Sequence, residues 1–216
     1  IDRNGFAALD LAGGTIDPTN LIVTNILDDT DIDVASGVTI FGDGTVTGNI
    51  DLPGTLAPGS DADAGTIGEF EVVGDLDLSN SQVQIDLSAA GGITNSDQII
   101  VSETATLTGG TLSFNFSGNE FATGQQFLIL EAGNPLGTSF ENQSDSFAIP
   151  DRPFLELVEE TLLANQLGYL IQDNGKPFSS VVTGCTQQSA AAILEELRGT
   201  GQSGVDNLIN SSGDAM

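Results

Sequence analysis

Acidic side chains supply nearly all the chemistry this sequence could perform. The run "DDTDID" sets Asp29, Asp31 and Asp33 at every second position, which on a strand places three carboxylates on one face. Calcium is held by several carboxylate oxygens, so this run is a candidate ligand set. Counted from Asp29, however, a helix–loop–helix calcium loop needs glycine at its sixth position, where Val34 stands. It also needs an acidic twelfth residue, where Ile40 stands. The GGxGxD repeat of calcium-binding solenoids is missing too. Both this run and "SDADAG" (60–65) therefore read as solvated surface. Glu69 with Glu71, and Asp75 with Asp77, share strand faces and could in principle form the carboxylate pair of a glycosidase. Such pairs arise by chance on acidic strands, and no lysine or histidine accompanies them. With no histidine in the chain, neither a Ser–His nor a Cys–His pair can be built, and no imidazole can bind metal. Cys185, the single cysteine, precedes a helical pattern where a thiol pKa can fall, yet an inert thiol is the simpler reading. We expect no catalytic, cofactor-binding or metal-binding residue, no cofactor and no enzymatic activity.

Charge narrows the partners further. The 216 residues carry 31 acidic and 4 basic side chains, a formal net charge of −27. Nucleic acid is excluded as a partner, because phosphate binding needs cations, and anionic lipid surfaces are excluded on the same ground. So strong a bias keeps an extended surface soluble. Hydrophobic residues make up 39% of the chain, enough for a real core. No run reaches the length of a membrane-spanning helix, and the opening "IDRNGFAALDL" lacks a basic-plus-apolar signal pattern. The chain begins in mid-pattern, so a longer parent protein is expected.

The elements that must carry these side chains are short strands. Period-two alternation recurs in "LIVTNI" (21–26), "DIDV" (31–34), "VTIF" (38–41), "TVTGNI" (45–50) and "TIGEFEVVG" (66–74). It continues through "DLDLS" (75–79), "SQVQIDLS" (81–88), "DQIIVS" (97–102), "TLSFNFSG" (111–118) and "QQFLILEAG" (125–133). Gly, Asn, Asp or Ser punctuates the gaps, and helical spacing is absent until about residue 186. Turns come more densely than in a sandwich and two-residue hairpin signals are few, which favours a parallel β-helix with roughly 20 residues per winding. Its strands would stack ~4.8 Å apart. The residues expected to point inward are Ile22, Ile40, Val46, Leu56, Ile67, Phe70, Val72, Leu76, Val83, Ile85, Ile99, Val101, Leu107, Leu112, Phe114, Phe127 and Ile129. In "GTLAPG" (54–59), Pro58 lacks an N–H and should mark a corner, with Gly54 and Gly59 free to take positive φ. The stretch "TQQSAAAILEEL" reads as a helix that buries Ala191, Leu194 and Leu197 while Glu195 and Glu196 stay solvated.

One longer order of motifs carries a resemblance. The passage from Gly42 to Ser88 resembles the carboxy-terminal passenger region of pertactin-like type V autotransporters. In that family a "GxGxVxGxxxxxGxLxPG" run precedes "GxLxVxGxLxxxxxxxLxIxL". The matching residues are Gly42, Gly44, Val46, Gly48, Gly54, Leu56, Pro58 and Gly59, then Gly65, Val73, Gly74, Leu76, Ile85 and Leu87. "SDQIIVSETATLTGGTLSF" and "GQQFLILEAG" resemble the family's Asp-led strand, Gly-Gly turn and "GxxFxIL" strand. "RPFLELVEETLLANQLGYLIQ" (152–172) looks like the hairpin cap of such passengers. The stretch after it resembles the segment that joins passenger to membrane barrel, through Gln187, Gln188, Ala190, Ala192, Leu194 and Leu197, although Cys185 and Thr186 stand where Asn is usual.

The resemblance implies an all-β chain: a right-handed parallel β-helix over 1–151, a carboxy-terminal β cap over 152–181 and an α-helical linker over 182–216. It implies a bacterial surface, outer-membrane or secreted location after transit through the periplasm, which a lone cysteine suits because no disulfide loop would hinder passage. The expected role is to nucleate folding outside the cell, as autochaperone regions do, with the protein's own translocator barrel as partner. A rival reading is an adhesin or self-association module that meets a host surface or another copy through the long flank. A polysaccharide-acting enzyme comes third.

Overall fold

β-Branched and aromatic residues, broken at short intervals by Gly, Asp and Asn, leave the chain little choice but strand and turn. The computed structural model describes residues 15–16, 31–33, 39–59, 67–140, 146–160, 162–182, 185–198 and 209. Among them strand dominates and is arranged in three sheets. The first holds β1 (Thr15–Ile16), β3 (Thr39–Gly42), β6 (Thr55–Pro58), β9 (Gln82–Ala90) and β13 (Thr111–Gly118) in parallel, with β10 (Ile93–Ser96) antiparallel to β9. In the second, β4 (Gly44–Thr47), β7 (Glu69–Val73), β11 (Gln98–Val101) and β14 (Gln126–Ala132) are parallel. Beyond β14 the pairing turns antiparallel through β17 (Gln166–Asp173), β16 (Leu155–Glu160) and β15 (Ser146–Ala148). The third sheet runs β2 (Asp31–Asp33), β5 (Asn49–Asp51), β8 (Leu76–Asp77), β12 (Ala105–Thr106), all parallel.

From β3 to β14 the chain visits the first, second and third sheets in turn, interrupted by β10 folding back on β9, and from β5 each visiting strand pairs in parallel with its counterpart from the previous visit. The register sets like beside like. Ile40 lies next to Leu56, Leu56 next to Val83 and Val83 next to Leu112. Val46, Val72, Val101 and Ala132 form a second row, and Ile50, Leu76 and Ala105 a third. All of these are buried in one continuous cluster. Burying each large apolar side chain is worth about 1.5–3 kcal/mol, so a one-residue slip that turned a row outward would be heavily penalised. Of the residues expected inward, Ile67 and Phe114 are half-buried and Ile22 lies outside the described residues; the others are buried.

Several local expectations change. Pro58 is the last residue of β6, beside Gly42, and the corner falls one residue later at Gly59, with φ 108°. Gly54 keeps a negative φ. "TVTGNI" is two strands, divided at Gly48 with φ 126°. "LIVTNI" and "SDADAG" lie outside the described residues. The helix is α1 (Cys185–Arg198). Ala191 is buried and Leu194 half-buried, but Leu197 is 37% exposed. Glu195, expected to be solvated, accepts the N–H of Phe178 at 3.0 Å.

Candidate functional site

The carboxylates singled out for chemistry are spread along the sheets, and Glu71 and Asp75 are bonded to the adjacent turn. Glu69 is exposed at the head of β7. Glu71 accepts the Thr45 hydroxyl at 2.7 Å. Asp75 accepts the N–H of Thr104 at 2.8 Å, and Asp77 that of Ser79 at 2.8 Å. Asn49 repeats the device by accepting the N–H of Asp75 at 2.9 Å, and the Ser102 hydroxyl accepts that of Gly74 at 2.9 Å. Polar side chains at corners thus satisfy backbone donors of the adjacent turn, which buried or half-buried N–H groups require. Asp31 and Asp33 belong to β2, and Asp29 lies outside the described residues. Among the described residues, no three acidic or thiol side chains gather as a metal ligand set.

The carboxyl in the most unusual setting is Asp97, between β10 and β11. It is 1% exposed. Its Oδ1 accepts the N–H of Gly68 at 2.8 Å and its Oδ2 the N–H of Asp86 at 2.8 Å. Its own N–H donates to the Asp86 carbonyl at 2.9 Å. Asp86, also buried, accepts the Asn115 amide at 2.9 Å. Burial raises the Asp97 pKa to about 7, against the two N–H bonds that favour its charged form, with the nearby charges of Asp86 and Asp43 adding to the rise. Gly68 fits this knot because a Cβ there would lie 2.0 Å from Asp43 Oδ1 and 2.4 Å from the Gly59 backbone. Asp97 was not among the candidates read from the sequence; the signal for it is an aspartate heading the apolar run "QIIV".

Beside the knot lies an open cleft of about 560 Å³, lined by Asp43, Glu69, Asn95, Gln98 and Gln126 among others. Asp43 already accepts the N–H of Glu69 at 2.9 Å, and Gln126 donates to Glu160 at 2.9 Å. Ser96 and Gln98 line the cleft while Asp97 between them is turned to the backbone. Of its two acids, Asp43 acts on the fold, as an acceptor for the next turn.

The carboxy-terminal end of the second sheet is the other distinctive region. There β17 lies antiparallel on β14, with Phe127 opposite Tyr169, and β16 and β15 follow outward. Leu155, Leu157, Leu167 and Tyr169 are all buried, so the alternation in 152–172 faces inward. Tyr169 stacks edge-on against Phe114 at 4.8 Å between ring centroids, and Phe114 against Phe147 at 4.8 Å. Phe116 and Phe121 continue the group at 5.5 Å, and Phe121 reaches Phe127 at 6.4 Å. Edge-to-face pairs of this kind each add about 0.5–1.5 kcal/mol beyond area burial. The arrangement seals apolar surface at this end of the sheet. The chain matches no family model, and neither a curated protein nor a solved structure is found to be similar to it.

Proposed function

We propose that the chain is the carboxy-terminal part of an autotransporter passenger. In this reading it is a right-handed parallel β-helix whose capped end folds first outside the cell and supports display of whatever precedes it. One observation carries the reading: strands β3 to β14 return in cyclic order to three sheets and pair mostly in parallel, and the second sheet is closed at one end by an antiparallel trio built on β14. Cyclic parallel crossovers are almost always right-handed. An uncapped stack presents unpaired edge groups and apolar rows, which invite aggregation. A cap that satisfies one edge gives each earlier winding a template on which to add. Growth from that end outside the membrane would oppose backsliding through the protein's own translocator barrel. The dense acidic surface keeps the growing stack soluble.

The test places the chain between a secretion signal and an autotransporter barrel in a Gram-negative cell and reads surface exposure with an external protease. Wild type should be displayed. Leu157→Asp, which puts a charge in the fully buried row of β16, should abolish display, whereas Val46→Asp near the other end should leave the cap region displayed. Equal display of both variants would exclude the seed, and failure of wild type beside a correctly inserted barrel would exclude the class.

A further inference from the structure

The molecule holds four basic residues against 31 acidic ones, and one of them joins helix to sheet. Arg198, in the last turn of α1, sets its Nε 2.7 Å from Asp173 Oδ2, and its Nη2 donates to Oδ1 at 2.8 Å. Nη1 donates to the Lys176 carbonyl at 2.8 Å and to Glu195 at 3.2 Å. The guanidinium also lies 4.6 Å from the Phe178 ring centroid and 5.6 Å from that of Phe154, and those two rings are 4.7 Å apart. A planar guanidinium stacked on aromatics while Nη2 donates to a carboxylate and Nη1 to a backbone carbonyl fills a role that lysine cannot. The side chain is 13% exposed and that of Asp173 27%.

Beside the arginine, Glu195 of the helix accepts the Phe178 N–H at 3.0 Å. Ala191 is buried and Leu194 half-buried, while Ile193 is 61% exposed and Glu196 is solvated. An element with few buried apolar contacts opens at a free energy well below that of the whole fold. We propose that α1 is a releasable strap, clasped by Arg198 over the Phe154–Phe178 end of the antiparallel sheet, which opens without unfolding the sheets. Closed, it covers two aromatic rings. Open, it presents those rings and a helix carrying Ile193 and Leu197.

The sequence provides a clean readout. Arg152 and Lys176 are followed by Pro153 and Pro177, bonds that trypsin leaves uncut. Past Arg3, trypsin therefore has one bond to cut in the whole chain, between Arg198 and Gly199, and cutting requires the arginine to leave its clasp. The full chain is digested with trypsin under native conditions, alongside Asp173→Asn and Arg198→Lys, and the products are weighed; chymotrypsin digestion in parallel reports the sheets. Loss of a charge-assisted bond should raise cleavage at position 198 by about tenfold or more in both variants, with an unchanged chymotryptic pattern. In wild type the same cut should accelerate at urea concentrations below the main unfolding transition. Cleavage of both variants at the wild-type rate would overturn the strap. So would variants whose sheets open to chymotrypsin in step with the cut, because release would then be inseparable from unfolding.

Discussion

Asp97 stands between opposed demands, because two backbone N–H groups favour its charged form and burial favours the neutral one. Burial prevails, and the pKa rises from 3.8 to about 7. Between those values the folded state binds more protons than the unfolded state, so this group's contribution to stability is fully present below pH 4 and lost as pH rises through 7. Urea unfolding of wild type and Asp97→Asn between pH 5 and 8 checks the sign. The stability of wild type relative to the variant should fall across that range, and a flat difference would show that Asp97 does not titrate there. Phe127→Ala should cost about 3–5 kcal/mol, as expected for a buried ring, and half-buried Phe114 less. The apolar partners were legible from alternation alone, because each row needs only the right class of residue. Asp97 was not legible, since its partners Gly68 and Asp86 lie 29 and 11 residues away and become neighbours only through register.

At the scale of elements, corners decide how closely successive turns approach. Gly133 follows β14, and a Cβ there would lie 2.0 Å from the Ser102 carbonyl oxygen. Gly133→Ala should therefore lower stability by about 1–3 kcal/mol, the usual penalty for overpacking. Gly137 has open space around it and no positive φ, so Gly137→Ala should be near neutral; thermal melts of the two variants make the comparison. Strand positions were readable because Gly48, Gly59 and Gly74 punctuate an otherwise regular alternation. The hairpin of β9 and β10 escaped notice although Gly91 and Gly92, with φ 64° and 74°, form a two-residue turn signal. Ala89 and Ala90 before it have little strand preference of their own, and pairing with Ile93 and Thr94 is what makes them strand. Pro58 misled in the other direction. It ends β6 two residues past the last pairing with β9, at Leu56, so one side of the strand is free of a ladder there and the corner needed Gly59 alone.

For the whole molecule, the proposed winding predicts a gradient of stability. Each turn is supported mainly by its two neighbours. In the second sheet β7, β11 and β14 each have a strand on either side, and the antiparallel strands then close that sheet with Tyr169 and Ile171, both fully buried. Toward β4 the second sheet ends at an edge with no further strand among the described residues. Hydrogen exchange should therefore be slowest in β7, β9, β11, β14 and β17, faster in β3 and β4, and faster still in α1, where Ala191 is buried and Ile193 is exposed. Deleting 152–172 removes β16 and most of β17, leaving the edge of β14 unpaired and Phe127 without Tyr169. Exposed edge groups and rings of this kind favour association over folding. The truncated chain should lose protection first in β14, then in β11, and should aggregate at concentrations where the intact chain stays monomeric. Because coupling passes only between adjacent turns, β1 and β3 should be the last strands of the first sheet to respond. An unchanged melting temperature, or protection lost uniformly from β3 to β14, would mean that the antiparallel end is an appendage and that stability does not spread from it.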